Sequence, residues 1–222
     1  MKKVAPGYTL LKRYGPFKNG CWILHHRGEA AVVEMPPYGR GERPPFLRAE
    51  SFTRRRRLRL KYAFLTHCHI DHCATLGHFR HTFPDTRFVA HRSVLSDRGM
   101  ALRFGDMRFR FFDELFDGPL WCGDLGGEPV YLLYAPKHSY TDQLVVFRGG
   151  MLTGDWVVGD LRDCNALVAT EHKLRSIRSV LDLIGVLNYR IHMLFSAHGN
   201  HLFYDVDFEK MMRSSMRARG RR

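Results

Sequence analysis

Residues 66–72 read Thr-His-Cys-His-Ile-Asp-His, which places three histidines and one aspartate within six residues. Neutral imidazole is the commonest protein ligand for zinc, and a carboxylate is its natural anionic complement. His67 and His69 are two positions apart, so in an extended loop both side chains can close on one cation. Asp71 and His72 are adjacent and must be displayed by a turn or a helix start, which suits them to a second cation nearby. One such cluster cannot fill two coordination spheres. Three further residues stand just past short apolar runs: His138 after Leu133-Tyr-Ala-Pro, Asp155 after Met151-Leu-Thr-Gly, and His198 after Leu194-Phe-Ser-Ala. Two cations about 3.5–4 Å apart can share a hydroxide and keep a nucleophile ready at neutral pH.

These residues must be gathered by the elements that precede them. Tyr62–Thr66 is a short apolar run with the pattern of a buried strand. Cys21–Leu24 and Ala30–Val33 read as strands joined by a turn at His26–Glu29, and further strands are expected at Arg87–Ala90, Pro129–Tyr134, Gln143–Phe147 and Ile191–Ser196. Residues 36–49 are rich in proline, glycine and arginine and read as a loop. Helices are expected over 93–104 with Ser93 as cap, over 170–187 with Thr170 as cap, and over 206–218. Strands alternating with helices favour a layered α/β fold in which strand ends share one edge, the usual place for a site. No repeat or linker divides the chain, so residues 1–222 are expected to form one domain.

Composition narrows the function classes. The chain is 45% hydrophobic and 26% charged, which excludes disordered and collagen-like classes. No apolar window is long enough for a membrane span, and the N-terminal residues carry no secretory h-region, so a cytoplasmic location is expected. Five cysteines with no CxxC pair indicate neither a disulfide framework nor a cysteine zinc finger. Lysine and arginine number 35 against 22 acids, a formal net charge of +13. Such a balance suits an anionic partner, either an acidic small molecule or nucleic acid. Two basic runs stand out, Arg54 to Lys61 and the tail Arg217–Arg222; each reads either as a phosphate contact or as a solvated face.

The Thr66–His72 segment resembles the HxHxDH motif of the metallo-β-lactamase superfamily. Ala135-Pro-Lys-His-Ser-Tyr-Thr-Asp-Gln143 is similar to that family's second histidine motif, Leu152-Thr-Gly-Asp155 to its aspartate motif, and Ser196-Ala-His-Gly199 to its last histidine motif. All stand in the family's order. The resemblance implies a four-layer αββα metallo-β-lactamase sandwich with the site at one edge. It implies that His67, His69 and His138 bind one metal, that Asp71, His72 and His198 bind a second, and that Asp155 bridges them. Two divalent ions, zinc by preference, would serve as cofactors; iron and manganese also accept such ligands. Asp71 would act as the catalytic carboxylate by orienting the hydroxide.

The family's branches differ in substrate. The residues after Asp155 lack the glycine- and cysteine-containing stretch of glyoxalase II, and His69 stands where flavodiiron proteins carry glutamate. Lys137, Ala197 and Glu34 stand at or near positions where the family commonly has glycine, glycine and aspartate. The expected activity is therefore a metal-dependent hydrolase acting on a small-molecule carbonyl: a thioester, an ester or a lactone. The alternatives are a phosphodiesterase or nuclease gripping its substrate through the basic runs, and a nucleic-acid-binding or sensor module with an inactive site. Asp142, four residues after His138, is a candidate supporting partner, and His201 a candidate for the pocket rim.

Overall fold

The structure is a computed structural model that describes residues 1–162 and 167–217. Cys164 and residues 218–222 of the basic tail lie outside the described residues. The first half of the chain builds a sheet from β1 (Lys2–Ala5), β2 (Tyr8–Tyr14), β3 (Asn19–His26), β4 (Glu29–Val33), β5 (Arg59–Phe64), β6 (Arg87–His91) and β7 (Glu114–Phe116), lying side by side in that order. The strands from β1 to β4 are antiparallel, and those from β4 to β7 are parallel. Parallel pairs need crossovers. Here the crossovers are helical: α1 (Pro45–Arg56) after β4, then α2 (Ile70–Cys73) and α3 (Leu76–Thr82) after β5, then α4 (Arg98–Phe104) after β6.

The second sheet contains β8 (Leu120–Leu125), β9 (Glu128–Tyr134), β10 (Gln143–Phe147), β11 (Gly150–Leu152), β12 (Met193–Phe195) and β13 (Leu202–Tyr204), in simple sequential order. Its one parallel pair, β11 with β12, is bridged by α5 (Thr170–Val186), and α6 (Phe208–Arg217) follows β13.

Period-two alternation sorts these strands into layers. Trp22, Leu24, Val33 and Phe64 face inward against Leu132, Val145, Phe147 and Phe195 of the other sheet. Their neighbours Ile23, Val32 and Ala63 face outward onto Phe52 of α1, Phe79 of α3 and Met100 of α4. On the far side, Leu144, Val146 and Leu194 meet Ile177, Val180 and Ile184 of α5 and Met212 of α6. The result is the expected αββα sandwich.

Several local expectations are corrected. The loop predicted over 36–49 ends at Pro44, because Pro45 opens α1 at the first helical position, where its missing N–H needs no partner. The basic run is divided: Arg54–Arg56 form the last turn of α1, Arg57 closes it in the left-handed conformation, and Arg59 already begins β5. The helix predicted over 93–104 breaks at Asp97, whose carboxylate accepts from Met100 N at 2.8 Å and caps α4; Ser93 instead sits in a short 3-10 turn. Thr170 is the first residue of α5 rather than its cap, and the strand expected at 191–196 shrinks to Met193–Phe195. The strands β8 and β13 and the short helices α2 and α3 go beyond the elements that the sequence pattern predicts.

Trp22 ties the layers together. It is fully buried, stacks on Phe195 with ring centroids 5.9 Å apart, and donates from Nε1 to Ala197 O at 2.9 Å. Trp22→Ala is expected to cost about 3–5 kcal/mol of folding stability, measured as a shift of the urea midpoint at unchanged slope.

Candidate metal centre

The strands of both sheets end at one edge of the sandwich, and the loops leaving those ends carry the candidate residues. β5 runs into Thr66 and His67; α2 then turns the chain so that Asp71 and His72 point back toward them. His138 follows β9, Asp155 follows β11, and His198 follows β12. All seven side chains come together. Ligand atoms of His67, His69 and His138 lie within 4.8 Å of one another, as do those of His67, His72 and Asp155, and those of Asp71, His72 and His198.

The finer geometry has a clear sense. His67 Nε2 and His138 Nε2 lie 3.0 and 3.1 Å from His69 Nδ1. Three ring nitrogens so close repel one another unless an electrophile sits among their lone pairs. Bonds of ~2.0–2.1 Å at tetrahedral angles place zinc ligand atoms roughly 3.3–3.4 Å apart, close to this spacing. In the second group, His72 Nε2 and His198 Nε2 lie 3.5 and 3.6 Å from Asp71 Oδ2. Asp155 faces both groups: its Oδ2 is 3.5 Å from His72 and 3.8 Å from His138. Buried His72 Nε2 and Asp155 Oδ1 have no hydrogen-bond partner among the described residues. Orphaned buried polar atoms of this kind are costly, and a cation would satisfy them. The donor set therefore fits metal ions.

The electrostatics agree. Burial, reinforced by the neighbouring His72, holds His67 well below the usual imidazole range, and the same two causes lower His69. Both are neutral, the form that ligates metals. Burial opposes a proton on His72 and on His198, yet Glu34 and Asp155 outweigh it at His72, and Asp155 does so at His198; both are raised. Burial also opposes the charge on Asp155, but the imidazoles of His198 and His72 beside it keep it well below the ordinary carboxylate range. The carboxylates around His72 and His198 thus favour positive charge at this end of the site, the charge that a cation would supply.

Outer partners hold several of the candidate ligands in place. His198 donates from Nδ1 to Phe17 O at 2.6 Å, which leaves Nε2 free to face the site. Asp142 Oδ2 accepts from the backbone N–H of Lys137, His138 and Ser139 and from Trp156 Nε1, so it shapes the loop that presents His138. Burial pushes the Asp142 carboxyl up to about 7 against those four donors. Ala197 donates to Gly154 O and accepts from Gly20 N and Trp22 Nε1, which pins the His198 loop to both sheets. Gly154 has a φ of +61°, and a Cβ there would stand 2.9 Å from Thr66 Oγ1, so glycine is required next to Asp155.

Other expected residues resolve as follows. Asp142 is the supporting partner of His138, and His201 lines the cavity beside His198. Cys68 and Cys73 belong to the buried core beneath α3, with their thiols pushed up by burial. Lys137 neither reaches the site nor meets solvent: it is 1% exposed and donates to Val157 O at 3.1 Å. The basic run is not brought to the site. Arg59 begins β5 at the end opposite His67, roughly 20 Å away at ~3.3 Å per strand residue.

Two residues take supporting roles that the sequence reading does not assign to them. Asn19 donates to Asp71 O at 2.7 Å. Glu34 is fully buried, accepts from Thr66 N, and lies 3.1 Å from His72 Nδ1. Its φ of 70° is unusual for a side chain of that size. The signal for Glu34 is a lone acid closing the apolar run Ala30–Val33.

A histidine- and aspartate-rich edge on an αββα sandwich defines a class of proteins, and this chain is a member of it. The family model of the metallo-beta-lactamase superfamily matches residues 21–156, and the chain belongs to that superfamily. Among solved structures it is similar to a metallo-beta-lactamase family protein from Thermus thermophilus, with 18% identity and a TM-score of 0.66 over 97% of this chain and 80% of that one. It is similar to an archaeal superfamily protein from Sulfolobus tokodaii, with 17% identity and a TM-score of 0.61 over 96% and 85%. It also matches the flavodiiron protein from Giardia intestinalis, with 14% identity and a TM-score of 0.65, spanning 97% of this chain but only 58% of that one. At such identities the likeness is one of fold. No curated protein matches the sequence. No helix among the described residues is long and apolar enough to cross a membrane.

The Glu34–His72 pair generates a prediction. Glu34→Ala leaves His72 buried without its partner and is expected to cost about 3–5 kcal/mol of stability, the range for breaking a buried pair. Metal affinity should fall about 10–100-fold. Urea unfolding and zinc titration against a competing chelator check the two effects separately.

Proposed function

We propose that this chain is a dinuclear metal-dependent hydrolase acting on the carbonyl of a small thioester, ester or lactone. The observation that carries the reading is the placement of Asp155 between two ligand groups, with one oxygen 3.5 Å from His72 and 3.8 Å from His138. In this reading His67, His69 and His138 hold one ion, Asp71, His72 and His198 hold the other, and Asp155 is shared. The histidine-rich set suits zinc, and iron and manganese are the competing metals. Ligands drawn from residue 67 to residue 198 support treating residues 1–222 as one domain.

Two bound divalent cations would supply an acidified water and a Lewis acid for the carbonyl oxygen. The chain's own residues arrange the rest. The neutral rings of His67 and His69 offer lone pairs without a proton to lose. Asp71 keeps some solvent contact, with its side chain 15% exposed, and can accept a proton at Oδ2 and return it to a leaving group. Beside Asp155 and His198 a cavity of about 410 Å³ is lined by Trp156, Val157, Val158 and Phe203, with Asn200 and His201 at its polar side. That lining suits an apolar acyl portion. Placement of the arginine run at the far end of β5 removes the support it lent to a phosphodiester substrate.

The test compares a thioester, ester and lactone panel with a simple phosphodiester on metal-loaded protein. Asp155→Ala is expected to lose bound metal and more than ~100-fold in kcat/KM on a carbonyl substrate, beyond the 10–100-fold range of outer partners. A fully loaded, fully active variant would overturn the shared-ligand reading. Turnover of the phosphodiester alone would overturn the carbonyl reading.

A further inference from the structure

The basic run that the metal centre does not use lies beside a separate pocket. The C-terminal turn of α1 packs over the outer face of β1 and β2, and a cavity of about 240 Å³ opens between them. Its walls include Lys3, Thr9, Phe52, Arg55 and Arg56. Lys3 and Thr9 are register partners across β1 and β2, so their side chains share that face. The Thr9 hydroxyl is 3.4 Å from His25 Nε2, which places the His25 imidazole next to the cavity floor. The Arg56 guanidinium stacks over the Phe52 ring at 4.9 Å, and Arg55 is held by a bond from its Nε to Ser51 O.

Charge in this pocket is one-sided. Some surface cations, among them Arg59, Lys61, Arg80, Arg87 and Arg92, pair with carboxylates, and others do not. Lys3, Arg55 and Arg56 pair with none among the described residues. Burial lowers the His25 pKa, and the charges that reinforce the shift are all cationic: Arg56, Lys3, Arg148 and His26. Basic residues in the last turn of a helix have an ordinary explanation, since they oppose the helix dipole. That accounts for Arg55 and Arg56 but not for Lys3 on β1 or His25 on β3. Two elements, α1 and β1, bring cationic groups to one concave point that also offers a hydroxyl, and the imidazole of His25 on β3 stands beside it.

We propose that this pocket is a binding site for the phosphoryl group of a small phosphorylated ligand. Guanidinium and ammonium groups recognise phosphate oxygens by charge-assisted bonds, and Thr9 supplies a neutral donor. A concave pocket suits a terminal phosphate better than the diester backbone of a nucleic acid, which runs across surfaces. The site stands apart from the metal centre. β3 begins at Asn19, which contacts Asp71, and reaches His25 six residues later, roughly 20 Å away at ~3.4 Å per residue.

The experiment follows the histidine ring resonances of the metal-loaded protein by NMR while inorganic phosphate, pyrophosphate and a short oligonucleotide are added in turn. His25 is expected to shift with phosphate and pyrophosphate, and its titration midpoint to rise as the anion stabilises the charged ring. In the Lys3→Ala/Arg56→Ala variant the His25 response should weaken at least ~10-fold in affinity, as expected for lost charged hydrogen bonds. Any shift of His138 from phosphate meeting the metals should persist there, so the two events separate. Because both substitutions are exposed, an unchanged melting curve shows that the variant folds. Phosphate that moves only the metal-site rings overturns the proposal. So does an oligonucleotide that moves His25 with steep salt dependence when phosphate and pyrophosphate do not, which would assign the patch to a nucleic-acid backbone instead.

Discussion

The molecule is organised around a repulsion. At one edge of the sandwich, lone pairs of His67, His69, His72, His138 and His198 and the carboxylates of Asp71 and Asp155 converge within a few ångströms. Left to themselves, such groups would rotate toward water. They are held together because several are anchored from behind. Phe17 O fixes His198, Glu34 fixes His72, and Asp142 gathers three backbone N–H groups around His138. The two sheets are joined at the same edge by the bonds from Gly20 and Trp22 to Ala197. Packing of the inner layer and geometry of the site are thus one problem: a tryptophan central to the core is also a strut behind His198.

Much of this is legible in the sequence, and the reason is geometric. A strand that is buried on both faces reads as an apolar run, and the residue just past it falls at the sheet's end. Tyr62–Thr66, Met151–Gly154 and Leu194–Ala197 each satisfy that pattern, so the convergence of His67, Asp155 and His198 can be read from three separate places in the chain. The layered architecture follows from the same alternation. The supporting residues are harder. Phe17 acts through its carbonyl and Asn19 through a contact 52 positions away, and neither leaves a trace in local pattern. Glu34 does leave one, a lone acid after Ala-Val-Val, but its partner can only be found in three dimensions.

Local errors have equally specific causes. Proline suggests a loop throughout 36–49, yet Pro45 stands at the one helical position where it is favoured. At 93–104 the apolar spacing suggests one helix; Asp97 competes with the backbone for the Met100 N–H and restarts the chain in a new direction. Lys137 shows the limit of reading chemistry from residue type alone. An amine one residue before His138 suggests a substrate contact, but burial beneath Trp156 and a bond to Val157 O make it a brace for the loop that follows Asp155.

The separation of charge from chemistry bears on how the net charge of +13 should be understood. The parallel run of β4 and β5 forces it. Residues entering these strands lie at one end of the sheet, and residues leaving them lie at the other, so Arg54–Arg59 and His67 cannot be neighbours despite a gap of only eight positions. Screening shortens the reach of exposed charges to about 8 Å at physiological salt. Over roughly 20 Å, more than two such lengths, the arginines contribute little to the potential at the histidine-rich edge. The basic end and the histidine-rich edge are therefore two separate features of the surface, set apart by the same strand direction that builds the sheet.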